Sequence, residues 1–226
     1  MVQKSRRPDG GSGVAQPEAD APKAGARRRG RPRGYEPDVA LGRALDLFRK
    51  DGLGATSLDD LSSATGMNRP SLYGAFGDKR ALYLRSYLRY RADARAALIE
   101  IFQADIPIRE KLARIFSGAL DIYFSGEDGP RGCFTVMTAA SEAVADPEIR
   151  DALQGGLVEL DKALAACLRG AIAKGELPAD ADPESLAQLA SAMMHSLAIR
   201  ARARIPRAEL ETMAAAAIDQ LCGPAR

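Results

Sequence analysis

Apolar residues recur along this chain at intervals of three and four. Leu41, Ala44, Leu45 and Phe48 fall at i, i+3, i+4 and i+7, which is one face of a helix. Pro37 suits the first turn of that helix, where its missing N–H is not needed, and Gly52 and Gly54 end it. Thr56 and Ser57 then offer hydroxyl caps, with Asp59 and Asp60 in the first turn of a short second helix over 58–65. Gly66 breaks it. Asn68 caps a third short helix, about 69–75, with Pro70 in its first turn. Gly77 and Asp78 interrupt again, and Asp78 caps a longer fourth helix starting near Lys79.

The remainder reads as helices punctuated by prolines. Ile108, Leu112, Ile115, Phe116, Ala119, Ile122 and Tyr123 trace one stripe after Pro107. A loop over 126–132 leads to a helix from about Cys133 to Val144. Asp146-Pro147 and Asp182-Pro183 each pair a cap with a first-turn proline. Leu153, Leu157, Leu160, Leu164 and Leu168 hold helical spacing between them, as do Leu186, Leu189, Ala190, Met193 and Leu197, and then Leu210, Met213, Ala214, Ala217, Ile218 and Leu221. This predicts an all-α fold of about nine helices. Composition agrees: Trp is absent, aromatics are 5%, and 46% of residues are apolar, enough for a sizeable core.

Charge divides the chain. Residues 1–34 hold nine Lys/Arg against three Asp/Glu, 35–90 hold eight against seven, and 91–226 hold fifteen against twenty. A basic end on an acidic remainder points to a polyanion at the N-terminal side. Residues 1–34 have almost no large apolar side chain, so we expect a disordered basic arm, ending in Arg27-Arg28-Arg29-Gly30-Arg31-Pro32-Arg33. Its Gly-Arg-Pro-Arg is similar to an AT-hook core, and Arg31 and Arg33 are candidates for DNA contact. The alternative is a solubilising tail.

Residues 58–75 have the makings of a helix-turn-helix. Gly66 allows the turn, Leu61, Met67 and Leu72 are spaced to lock the two helices, and Asn68, Arg69, Pro70, Ser71 and Tyr73 lie on or beside the second. The stretch Thr56-Ser57-Leu58-Asp59-Asp60-Leu61 through Gly66-Met67, then Pro70-Ser71-Leu72-Tyr73-Gly74-Ala75-Phe76-Gly77-Asp78-Lys79, closely resembles the DNA-binding domain of TetR-family transcriptional regulators. That resemblance implies a recognition helix at about 69–75. It implies phosphate contacts at Tyr73 and Lys79 and at Thr56 before the second helix, and core roles for Leu72 and Phe76. It leaves Asn68, Arg69 and Ser71 as candidates for reading bases. Arg69 can donate twice to guanine or hold a phosphate.

On this reading 35–80 form the DNA-binding domain and 81–226 an effector-binding and dimerisation domain. The resemblance implies that the last two helices, about 183–202 and 206–221, pair with their copies in a homodimer. It also implies a small-molecule effector held by the C-terminal helices, for which Cys133, Met137, Met194 and His195 are the candidate pocket residues. Cys133 follows a Gly-containing turn and Arg131 at a helix start, where a thiolate is favoured; some relatives sense electrophiles through a cysteine placed there. The alternative is a small buried apolar residue. The basic run Arg200, Arg202, Arg204 and Arg207 reads as a solvated helix end.

Three separated cysteines (Cys133, Cys167 and Cys222) form no disulfide framework or zinc pattern, and no 18-residue apolar run exists, so a cytoplasmic protein is expected. A single histidine and no nucleophile–base–orienter set argue against an enzyme, and no metal or cofactor is expected. The function implied is a homodimeric repressor that binds a palindromic operator in double-stranded DNA and leaves it when an effector binds. The alternatives are an activator, an effector-independent regulator, or an architectural DNA binder that uses the arm.

Overall fold

The computed structural model describes residues 36–223; Arg31 and Arg33 and the rest of the arm lie outside it. Among the described residues the elements are α1 (Pro37–Ala55), α2 (Leu58–Thr65), α3 (Arg69–Phe76), α4 (Lys79–Gln103), α5 (Ile108–Tyr123), a π-helical turn (Thr135–Ala139) running into a one-turn α6 (Ala140–Glu142), α7 (Pro147–Ala173), α8 (Pro183–Arg202) and α9 (Arg207–Cys222). The all-α expectation holds, with the helix starts where local chemistry put them.

Those starts are caps. The Ser57 hydroxyl accepts from the Asp60 amide while the Asp60 carboxylate accepts from the Ser57 amide, a reciprocal capping box that also holds the Asp60 pKa below its usual range. Asn68, Asp78, Asp146 and Asp182 each accept a first-turn amide of the helix that follows. Gly66 closes α2 at φ +70°, the left-handed conformation that favours glycine.

The regular part of α1 ends at Gly52, as expected: Gly52 takes φ +78°, and past that kink a short helical stretch carries the chain to Ala55. One expectation changes. The expected helix from Cys133 is shorter and contains the π turn, so its side chains do not follow a 3.6-residue spacing throughout.

The core at the N-terminal end is aromatic. Phe48 of α1 meets Tyr83 of α4 edge to face at 5.1 Å between ring centroids. Phe134, just before the π turn, receives Tyr83, Tyr87 and Tyr90 of α4 at 5.3, 5.5 and 5.7 Å. The first half of α4 therefore packs with α1, and the expected boundary between residues 80 and 81 falls inside its first turn. The described residues, 36–223, belong to one compact unit. Further on, α8 buries Ala187, Ala190, Ala198 and Ala201, and α9 buries Ala214 and Ala217, so small side chains let these helices approach closely.

Candidate nucleic-acid interface and ligand cavity

Leu61 of α2, Met67 of the turn, and Leu72 and Phe76 of α3 are all buried, which locks α2 and α3 onto one apolar seam. The seam turns the other side of α3 outward. Asn68, Arg69, Pro70, Tyr73 and Gly74 are exposed there, and Ser71 is half-buried. Tyr73 is 48% exposed, a large ring left in water on a short helix. Nothing lies within 4 Å of where a side chain at Gly74 would begin, so the surface beside Tyr73 is flat backbone.

Several of these groups already have partners. The Asn68 Oδ1 caps α3 by accepting from the Ser71 amide at 2.9 Å, which leaves the Asn68 amide NH2 as its free donor. Arg69 forks onto Asp59 of α2, with Nε to Oδ1 at 3.1 Å and one terminal nitrogen to Oδ2 at 2.7 Å. Both side chains are well exposed, so the pair can be traded for a base or a phosphate. The Lys79 ammonium donates to the carbonyls of Leu53 and Thr56 at 2.9 and 2.8 Å, which ties the end of α1 to the start of α4. Two of its three donors are thereby used.

Thr56 corrects the sequence reading. Its side chain is 1% exposed, and its hydroxyl donates to the Gly52 carbonyl at 2.6 Å. At the kink the Thr56 side chain is folded back onto that carbonyl. Its hydroxyl does not face solvent beside α3. The sequence reading also missed Arg43. It is exposed on α1, and its guanidinium comes to 4.0 Å from where a side chain at Gly66 would start, so it adds a cation beside the turn. Its place on the polar side of the α1 stripe was the available signal.

A cavity of about 410 Å³ lies among α4, α5, α7, α8 and the segment entering the π turn. Of the four candidate pocket residues, Cys133, Met194 and His195 line it. Met137 does not. It packs against Gly132, because the π turn rotates it away from the wall that holds Cys133 and Thr135. Burial lowers the His195 pKa, an effect that Asp161 only partly opposes, so its imidazole is neutral at pH 7. Arg131 does not face the Cys133 thiol either: it pairs with Asp46 of α1 at 3.3 Å. The group on the Cys133 Sγ is the Tyr90 hydroxyl, which donates at 3.3 Å. Burial keeps Tyr90 and Tyr123 protonated, with pKa values well above the usual phenol range.

Arg49 connects the two sites. It belongs to α1 and is 6% exposed, yet its acceptors are the Ile122 carbonyl at 2.7 Å, the Gly132 carbonyl at 3.2 Å and the Ser125 hydroxyl at 3.3 Å. Arginine is placed here because a planar fork can serve several carbonyls at a helix end at once. Arg202 of α8 adds a second tie, donating to the carbonyls of Arg49, Lys50 and Arg131, so that part of the basic run is engaged and not simply solvated. At the far side, Arg80 in the first turn of α4 pairs with Asp146, the cap of α7, and with Glu148. That pairing, more than the α7 amides, holds the Asp146 carboxyl down to about 2.

Among the described residues no group of three or more His, Cys, Asp or Glu side chains is placed to hold a metal ion, and no helix is long and apolar enough to cross a membrane.

Comparison with known proteins agrees with this architecture. Residues 40–85 match the model for bacterial regulatory proteins of the tetR family, and residues 107–217 match that for the tetracyclin repressor-like C-terminal domain. The chain is 32% identical over 176 residues to the HTH-type transcriptional repressor ComR of Escherichia coli (strain K12), covering 77% of this chain and 83% of that one. It is 34% identical over 122 residues to the HTH-type transcriptional repressor BdcR of the same organism, covering 54% and 60%. Among solved structures it is similar to a cysteine mutant of the TetR family regulator CifR in complex with 26-bp operator DNA, at 31% identity and a TM-score of 0.73 over 84% of this chain and 98% of that one. With both halves matched in order, the chain belongs to the TetR family of bacterial transcriptional regulators.

Proposed function

We propose that this regulator is a repressor that binds a palindromic operator as a homodimer and leaves it when a small molecule fills the cavity. The observation that carries the DNA reading is α3: capped by Asn68 and held from behind by Leu72 and Phe76, it leaves Asn68, Arg69, Pro70, Tyr73 and Gly74 exposed. The N-terminal residues of such a helix enter a major groove and meet base edges. Arg69 reads a base, with Asn68 and Ser71 beside it. Tyr73 holds a phosphate, and Lys79 adds its remaining donor to one. The arm, through Arg31 and Arg33, supplies charge that the low net charge of 35–90 lacks. CifR in complex with operator DNA and the repressors ComR and BdcR support the assignment by likeness.

The second copy is expected on α8 and α9. Leu189 is 61% and Ile199 54% exposed on α8, on a face shared with Ala192 and Ser196, and Ala208, Ala215 and Ala216 are exposed on α9. Two such chains would set their α3 helices in successive major grooves about 34–36 Å apart. The effector acts by favouring a dimer whose spacing no longer fits, to the extent that it binds that state better. Arg49, which joins α1 to the end of α5 and the cavity wall, is the residue through which the change reaches the DNA-binding helices.

Footprinting on genomic fragments tests the reading. A protected palindrome, lost with Arg69→Ala and with the Leu189→Arg variant that light scattering finds monomeric, supports it. Protection that follows A·T content without a palindrome would favour the architectural alternative, and a footprint that raises transcription would make the protein an activator.

A further inference from the structure

We infer that the cavity takes an uncharged, largely apolar molecule, an aromatic or alicyclic compound with at most one or two hydrogen-bonding groups, and excludes carboxylates and other anions of the same shape. This rests on the preceding reading only in calling the occupant an effector. The wall is largely apolar, with Leu98 and Phe102 of α4, Ile115 of α5, and Leu157 and Leu160 of α7 among its large side chains. The charged side chains lining the cavity are Arg91, Arg95 and Glu159, two cations sharing one carboxylate, with Arg95 and Glu159 reaching solvent. Glu159 takes Arg91 on one oxygen and Arg95 on the other, both at 3.0 Å. Arg91 also donates to the Ala152 carbonyl at 2.7 Å. The other polar groups within reach, the Tyr90 and Tyr123 phenols, the Thr135 hydroxyl and the neutral His195 imidazole, can hydrogen-bond a ligand and carry no charge to meet one. An ionised ligand would lose its hydration in the apolar interior, and the one cation in excess at the rim, Arg95, is 65% exposed and screened by water, so it would repay little of that loss.

Two helical glycines build this selectivity. A side chain at Gly156 of α7 would strike the Arg91 Nε at 2.7 Å. Glycine there lets Arg91 lie flat on α7, where Glu159 and Ala152 engage it, and not turn inward. Gly118 lines the cavity from the interior of α5, and nothing lies within 4 Å of where its side chain would begin. Glycine disfavours a helix interior, and packing does not demand it here. It keeps space open for an occupant.

Two probes on one ring framework test this with the full-length protein: N-phenyl-1-naphthylamine, which is neutral, and 1-anilinonaphthalene-8-sulfonate, which adds one sulfonate and its negative charge. Only fluorescence enhancement that is lost in Gly118→Leu counts as cavity binding; Gly118→Ala serves as a milder plug if the larger side chain disturbs folding, and thermal unfolding monitors both. The neutral probe should saturate at one per chain and lose affinity in the plugged variants, while the anion binds the cavity at least about tenfold more weakly. Equal or tighter cavity binding of the anion overturns the inference, and so does a neutral probe whose binding the plugs do not change. A neutral probe that fills the cavity yet leaves operator affinity untouched would overturn the effector reading and leave this one standing.

Discussion

The guanidinium carbon of Arg49 lies 5.5 Å from the centre of the Tyr90 ring, and the hydroxyl of that ring ends on Cys133 at the cavity wall. A residue of α1 thus lies behind Tyr90, one of the side chains that line the cavity among α4, α5, α7 and α8. The cation is buried among carbonyls without a carboxylate, where the ring face adds to its stabilisation.

Removing that cation should cost stability first. Arg49→Met leaves the Ile122 and Gly132 carbonyls without this donor, and we expect a loss of about 1–3 kcal/mol, read from urea unfolding. Arg49→Lys should recover only part, because a point charge cannot span both carbonyls and the Ser125 hydroxyl. In whichever variant stays folded at working temperature, operator affinity should respond less to a cavity ligand than in the parent, which a gel-shift titration checks.

Lys79 and Tyr73 should separate. Lys79→Met breaks the tie to Leu53 and Thr56, so it should lower stability by about 1–3 kcal/mol as well as DNA affinity. Tyr73→Phe removes an outward hydroxyl, so unfolding should be unchanged and affinity should fall. The fall should be similar for operator and scrambled DNA, because phosphates carry no sequence.

The Arg69–Asp59 fork makes base reading testable from both ends. Arg69→Ala should relax the preference at one base pair by ~1–3 kcal/mol in binding selections. Asp59→Asn frees the guanidinium and removes a negative charge beside the DNA surface, so affinity should rise for all sequences. Selections in which Arg69→Ala keeps the parental preference would assign Arg69 to a phosphate.

Deleting residues 1–33 should flatten the salt dependence of DNA binding, by about 0.9 in log–log slope for each phosphate that the arm no longer neutralises. The thermal midpoint should be unchanged. An unaltered slope would make the arm a passive tail.

Acid stability should report the Arg80–Asp146 pair. Arg80 holds the Asp146 carboxyl at about 2 against an ordinary 3.8. A carboxyl lowered on folding stabilises the fold above its unfolded pKa, and the contribution fades as pH falls from about 3.8 towards 2. Arg80→Ala should therefore lose stability at neutral pH but converge with the parent near pH 2, measured by denaturant midpoints across that range.

The local signals carried far. Pro37, Asn68, Asp78, Asp146 and Asp182 announced their helices because a cap or a first-turn proline acts within three residues of itself. The exposed face of α3 was legible in the same way, since Leu61, Met67, Leu72 and Phe76 could only face inward together. What a polar side chain touches was not legible. Thr56 and Ser57 read as equivalent caps, and the kink at Gly52 turned one of them inward. Met137 and Cys133 both read as pocket residues, and only Cys133, ahead of the π turn, lines the cavity. Arg49, four residues after Leu45 on the apolar stripe, carried a visible anomaly, but its acceptors lie more than seventy residues away in sequence. The chain by itself thus determined where helices begin, which faces are apolar and which family motif it bears, because those depend on neighbours within a few residues. Tertiary packing decided which donors are spent, which cations are paired and where the cavity opens, because hydrogen-bond partners and empty space arise only when distant segments meet.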